Sequence, residues 1–274
     1  MFVHHDGYDV FYETFGDAAH TPLLLINGFT SQSVSWPDDL RDALVAAEFF
    51  VITFDNRDVG LSTKSAPGQH YLLSDMASDA VAVLDALDVS APVVWGTSMG
   101  GMIAQTLTID HPSRVAALCS VMSTTGNQEV GRPTSEALEA LMTPPPEDRE
   151  GAIAAGVRVA HVIGGPLVDP EWEQVRAARQ YDRCFWPQGA AHQMHAITKS
   201  GDRTAALGAV QCPTTVIHGR VDPLITLSGG EATAAAIPGA RLVVLDEMGH
   251  DMPARYFGDY VRELVSLRDA GAPS

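Results

Sequence analysis

The feature that most restricts the fold of this chain is its rhythm. Short apolar, β-branched runs at residues 10–15, 23–26, 49–54, 92–95 and 115–122 alternate with longer stretches of helical pattern. Residues 74–87 place Met76, Ala80, Val83, Leu84 and Leu87 on one helical face. Residues 36–47 do the same with Leu40, Leu44 and Val45, and the apolar stretch 99–109 stops at His111-Pro112. Strand, helix, strand, helix at this spacing predicts right-handed βαβ units and an α/β fold, a mostly parallel sheet flanked by helices.

The rhythm breaks after residue 123. Helical patterns at 135–142, 151–162 and 171–181 then follow one another without a convincing strand, with Pro144-Pro145-Pro146 between the first two. Strands return at 214–218 and 241–245, and a helix over 254–267 closes the pattern. The expectation is a core in two parts, 1–123 and 208–274, interrupted by a helical cap insertion at 124–207. A chain of 274 residues suits one such domain.

Composition narrows the partners. Acidic residues number 34 against 17 Lys plus Arg, a formal charge of −17. Such a surface repels phosphate backbones and anionic headgroups, so neither nucleic acid nor a membrane surface is an expected partner. No apolar run approaches the ~18 residues of a membrane span, and the amino-terminal stretch has neither the basic nor the apolar segment of a signal peptide. Cys119, Cys184 and Cys212 are odd in number and form no C-x-x-C, which speaks against a disulfide scaffold or a zinc ribbon. A soluble protein of the reducing cytoplasm is expected, with its oligomeric state left open.

The chemistry is carried by the G-x-S-x-G of Gly96-Thr97-Ser98-Met99-Gly100. A pentad this short means little alone, but here a buried strand precedes it and an apolar helix follows. That context predicts a strained strand-to-helix turn that exposes the serine hydroxyl at the carboxyl edge of the sheet. The same turn frees the Met99 N–H at a helix amino terminus to bind an oxyanion. An ordinary N-cap serine is the plain alternative.

A serine hydroxyl needs a base, and the base needs an orienting acid, in the order Ser, acid, His after successive strands. His250 lies in the polar loop after residues 241–245, and Asp222 in the loop after 214–218. Asp246, Glu247 and Asp251 are too near His250 in sequence to fold back easily onto its ring, and the loop at 124–127 offers no acid. Asp222 is therefore the expected acid, although a turn aspartate before Pro223 also explains it. Asn27-Gly28-Phe29 follows an early strand, and the Phe29 N–H is the candidate second oxyanion donor.

Together with Leu24–Phe29, the segments Phe54-Asp55-Asn56-Arg57-Asp58-Val59-Gly60-Leu61-Ser62, Ile217-His218-Gly219-Arg220-Val221-Asp222-Pro223 and Met248-Gly249-His250 make the chain resemble the α/β-hydrolase superfamily over essentially its whole length. Within it, the Phe54–Ser62 segment and the cap stretch Arg179-Gln180-Tyr181-Asp182-Arg183 resemble the aclacinomycin methylesterase-like bacterial esterases. The resemblance implies ester hydrolysis without a cofactor beneath a helical cap. Asn27-Gly28 stands where many relatives carry His-Gly, a change that bears on the pocket mouth. Ser98 sets the chain apart from the branches that use an aspartate nucleophile, the epoxide hydrolases and haloalkane dehalogenases.

Further residues are ambiguous from sequence. Asn27, Gly28, Met122, Trp186 and Met252 are candidates to line a substrate pocket. Trp172, Tyr181, Phe185 and Trp186 serve equally well to pack the cap on the core, and Met194 and His195 share that ambiguity. His192-x-x-His195 lacks a nearby carboxylate or cysteine, so no metal is expected. Arg57 and Asp58 are expected to stabilise their loop, and His4-His5 to be a solvated terminus.

The reading is a serine hydrolase that cleaves carboxylic esters of small neutral substrates through an acyl-enzyme on Ser98. The same triad also suits a cofactor-free perhydrolase or haloperoxidase, or a C–C bond hydrolase. A small-molecule receptor on a hydrolase scaffold belongs to a third class.

Overall fold

The computed structural model describes residues 1–271. The chain runs β1 (Phe2–His5), β2 (Tyr8–Phe15), β3 (Thr21–Ile26), α1 (Asp38–Ala46), β4 (Phe49–Phe54), α2 (Leu73–Ala86), β5 (Val93–Thr97), α3 (Met99–Asp110) and β6 (Ala117–Val121). Five helices follow: α4 (Ser135–Met142), α5 (Arg149–Ile163), α6 (Pro170–Arg183), α7 (Gly189–Lys199) and α8 (Thr204–Leu207). The core resumes with β7 (Thr214–Gly219), α9 (Ser228–Ala236), β8 (Arg241–Leu245) and α10 (Phe257–Gly271).

Among the described residues, eight strands form one sheet in the order β1-β2-β4-β3-β5-β6-β7-β8. β1 pairs antiparallel with β2 and β2 with β4, and the remaining pairs are parallel. Parallel strands are covered on both faces, and their side chains sort by alternation. Leu24, Ile26, Ile52 and Phe54 face the side packed by Leu73, Met76 and Val83 of α2 and Ile103 and Leu107 of α3. Leu23, Leu25, Val51 and Trp95 face the other, against Leu40 and Leu44 of α1 and Tyr260 and Leu264 of α10. Trp95 is edge-on to Trp36 at 5.1 Å and tilted against Tyr260 at 5.5 Å. Fully burying such side chains contributes about 1.5–3 kcal/mol each, so the sheet centre is the most firmly held part of the molecule.

Three of the helices between β6 and β7, α4, α5 and α6, start at side-chain caps. Thr134 accepts the Ala137 N–H, Asp148 the Gly151 N–H, and Asp169 the Glu171 and Trp172 N–H groups. We call this segment the cap, because α5, α6 and α7 share a cavity wall with the carboxyl ends of the strands.

Two elements differ from the sequence expectation. His4 and His5 lie in the edge strand β1, where His4 Nδ1 is 2.8 Å from Asp9 Oδ1. Helix α9 has the sequence SGGEATAAA, which lacks any apolar period. Its small residues let it approach β7, and Gly230 sits against the His218 ring.

Candidate active site

The site is built around Ser98. Its backbone has φ 55° and ψ −120°, an unusual conformation for a residue with a Cβ. The surrounding core holds it there. The Ser98 N–H donates to the Val121 carbonyl at 2.9 Å, and Ser123 Oγ donates to the Ser98 carbonyl at 2.9 Å. Gly100 lies so close to the Ile26 carbonyl that no Cβ fits.

Ser98 Oγ is 2.9 Å from His250 Nε2, and His250 Nδ1 is 2.8 Å from Asp222 Oδ2. The Asp222 carboxylate is fully buried and divides its work. Oδ1 accepts the N–H groups of Leu224 and Ile225 at 2.8 and 2.9 Å, while Oδ2 faces the imidazole. One carboxylate thus both closes its own turn and contacts the imidazole. The His250 N–H donates to the carbonyl of Ile163, at the end of α5, so the cap also supports this loop.

His218 lies beneath Asp222 and is fully buried. Its Nε2 contacts the Ile225 carbonyl at 2.7 Å and stands 3.6 Å from Asp222 Oδ2. Burial pushes its pKa down, against an opposing pull from the Asp222 charge. Asp251, adjacent to His250 in sequence, turns Oδ1 to the N–H groups of Gly249 and Gly165 instead of the imidazole. Burial pushes the Asp251 carboxyl up, and those two backbone donors pull it down only in part.

Phe29 and Met99 flank the serine, and among the described residues neither N–H has a protein acceptor. The loop after β3 packs closely on the elbow: a Cβ at Gly28 would lie 3.1 Å from Ser98 Cβ and 3.2 Å from the Thr97 carbonyl oxygen. Asn27 closes this loop across itself, its Nδ2 donating to the Gln32 carbonyl at 3.0 Å. A nucleophile, a base with its acid, and two free donors can together perform acyl transfer.

These groups open into a cavity of about 650 Å³. Asn27, Gly28, Met122 and Met252 line it, as do Met102, Trp172, Met194 and Ile197. Trp186 does not. It follows α6 on the outside of the cap and is 39% exposed, so its placement in the pocket is corrected. Tyr181 packs on Phe185 with ring centroids 4.7 Å apart, also outside the cavity lining. His192 turns to Asp58 at 3.1 Å and His195 stacks on His70, and among the described residues no group of three or more ligating side chains gathers.

Sequence reasoning left the cap-to-core contacts unassigned, although it singled out the two segments that hold Arg183 and Asp55. Arg183 Nη1 reaches Asp55 Oδ2 at 2.7 Å and Gln32 Oε1 at 3.0 Å. Gln32 in turn donates its Nε2 to the carbonyls of Gln180 and Cys184. Arg57 makes a buried, two-pronged pair with Asp79 at 2.5 and 2.9 Å. Asp58 accepts the Ser65 N–H and Oγ–H.

A family model described as the alpha/beta hydrolase fold matches residues 21–162. The chain is 30% identical to a rhodomycin D methylesterase of Streptomyces peucetius, with 88% of each chain covered. It is 31% identical to the protein of the same description from Streptomyces sp. strain C5, again with 88% of each covered. Among solved structures, a hydrolase from Pseudomonas aeruginosa superposes with a TM-score of 0.78 at 26% identity, covering 98% of both chains.

Proposed function

The chain belongs to the alpha/beta-hydrolase fold family, and from that premise we propose that it is a serine esterase whose nucleophile is Ser98. One observation carries this: Ser98, His250 and Asp222 stand in hydrogen-bonding series beside two free backbone N–H groups at the floor of an apolar cavity.

Ser98 Oγ attacks the ester carbonyl as His250 Nε2 takes its proton. Asp222 Oδ2 accepts the Nδ1–H, which fixes the tautomer and stabilises the imidazolium. The N–H groups of Phe29 and Met99 hold the tetrahedral oxyanion, each contributing roughly 3–4 kcal/mol. His250 returns the proton to the departing alkoxide, leaving an acyl-serine. Water, deprotonated by the same imidazole, then releases the acid. No cofactor enters any step.

The methionine-lined walls favour neutral, apolar substrates, and the net charge of −17 disfavours strongly anionic ones. Because the similar Streptomyces proteins are methylesterases, methyl esters are the first substrates to test. Cys119, Cys184 and Cys212 are free thiols, which supports a reducing, cytoplasmic setting. Among the described residues no helix is long and apolar enough to cross a membrane.

The deciding experiment is Ser98→Ala. Hydrolysis of short-chain p-nitrophenyl esters is expected to fall by roughly 10⁴-fold or more with the fold intact. Undiminished turnover by that variant overturns the proposal. Bromination of monochlorodimedone with peroxide and acetate, outpacing ester cleavage, redirects the triad to perhydrolysis.

A further inference from the structure

Helix α7 presents two faces. Met194 and Ile197 line the cavity, while Gly189, Gln193 and Ala196 are buried at i, i+4 and i+7. Gln193 has no exposure, and both ends of its amide are engaged. Its Oε1 accepts the Thr30 N–H at 2.8 Å, and its Nε2 donates to the Arg57 carbonyl at 2.9 Å.

Thr30 has φ 57°, a left-handed conformation that a β-branched residue resists. A turn of this kind needs an external hold. Within it, the Ser31 N–H donates to the Gly28 carbonyl at 3.2 Å. Thr30 Oγ1 and Ser31 Oγ donate to the Phe29 carbonyl at 2.8 and 3.4 Å. Among the described residues the Thr30 N–H itself is taken by Gln193. The far end of the amide rests on a firm anchor, since Arg57 is paired with Asp79 and lies 4.0 Å over the Tyr8 ring. The Thr30 N–H shares its peptide group with the Phe29 carbonyl, and the Phe29 N–H, the proposed oxyanion donor, lies just across the Phe29 Cα.

We propose that Gln193 is a positioning residue for the oxyanion hole: a side chain of the cap that, by taking the Thr30 N–H, sets the direction of the Phe29 N–H. This rests on the serine-esterase reading above. It gives the cap a part in turnover beyond substrate selection. Loss of the Gln193 acceptor removes the cap's hold on the N–H side of the Phe29–Thr30 peptide and leaves only bonds local to the turn. A donor displaced by a fraction of an ångström stabilises the tetrahedral intermediate poorly while ground-state binding persists.

The test compares Gln193→Met, which keeps the volume and removes the hydrogen bonds, with Gln193→Glu, which keeps an oxygen for Thr30. Steady-state hydrolysis of p-nitrophenyl acetate is measured beside inhibition by a trifluoromethyl ketone, which forms a tetrahedral adduct. Gln193→Met is expected to lower kcat about 10- to 100-fold with KM within about twofold, and to weaken the ketone by a similar factor. Gln193→Glu recovers much of kcat. If Gln193→Met does not fold, Gln193→Asn withdraws the amide by one methylene and is expected to lose kcat in the same way. A wild-type kcat in the folded Met or Asn variant, or equal losses in Met and Glu, overturns the positioning role. Ser98→Ala assayed alongside separates the two conclusions. If it is inactive and Gln193→Met is not, only the positioning role falls; if it stays active, both fall.

Discussion

The two backbone segments that flank the reacting position are held by different means. The elbow at Ser98 is fixed within the core: β5 and β6 pair on one side of it, Val121 and Ser123 hold its peptide groups, and Gly100 meets the Ile26 carbonyl without intervening side chain. The loop around Phe29 and Thr30 depends on long polar side chains. Asn27 and Gln32 close it locally, and Gln180, Arg183 and Gln193 reach it from the cap. Close-packed backbone has little room to shift, whereas a hydrogen-bonded loop follows whatever holds it. On the proposed mechanism, one oxyanion donor would be built into the sheet and the other set by the cap.

The strongest way to break this contrast is Gly100→Ala. Its methyl group would press into the Ile26 carbonyl and force β3 away from the elbow. We expect a loss of about 3 kcal/mol, seen as a melting temperature lower by roughly 6–12 °C, together with nearly complete loss of hydrolysis. Arg183→Met attacks the other side. It leaves the elbow untouched and strands the buried Asp55 carboxylate, which retains the Ser33 and Leu61 N–H groups as donors. Breaking a buried pair costs about 3–5 kcal/mol, and those two donors should limit the loss to about 2 kcal/mol, measured by urea denaturation.

The smallest effect concerns the base-orienting loop, which like the elbow is built on the sheet. His218 is held neutral by burial, so the unfolded chain takes up a proton before the folded one as pH drops below the ordinary 6.5. Stability is therefore lost on acidification from that point, with a slope of up to about 1.4 kcal/mol per pH unit. Melting curves between pH 7 and 5 should show a shallower decline for His218→Gln than for wild type. Parallel declines would remove His218 from the account of acid sensitivity.

The same contrast explains what could be read from sequence. The elbow, the strands around it and the order Ser98, Asp222, His250 rest on local patterns, a pentad between strand and helix and loops after strands. Asp222 lies 2.8 Å from His250 Nδ1, beside the residue with which its place in the strand order pairs it, whereas Asp251, too close to His250 in sequence to fold back easily, turns to backbone donors. Gln193 was not legible, because it lies 163 residues from Thr30 and no period or motif marks such a contact. Arg183 and Asp55 sit in the two segments behind the narrower family resemblance, but only the fold shows that these segments touch. Trp186 was misplaced because size and aromaticity do not tell which face of the cap a side chain occupies. Helix α9 escaped notice because alanine and glycine carry no apolar period.

The strand order has a consequence for the timing of synthesis. β5 occupies the middle of the sheet, β3 lies on one side, and β7 and β8 are added last along the other edge. On the serine-esterase reading, a nascent chain that has emerged through the cap would already hold the serine, both proposed oxyanion donors and the roof of the cavity. It has no imidazole to accept the serine proton, because His250 follows the final strand. On that reading, reactivity would arrive together with the edge that completes the sheet.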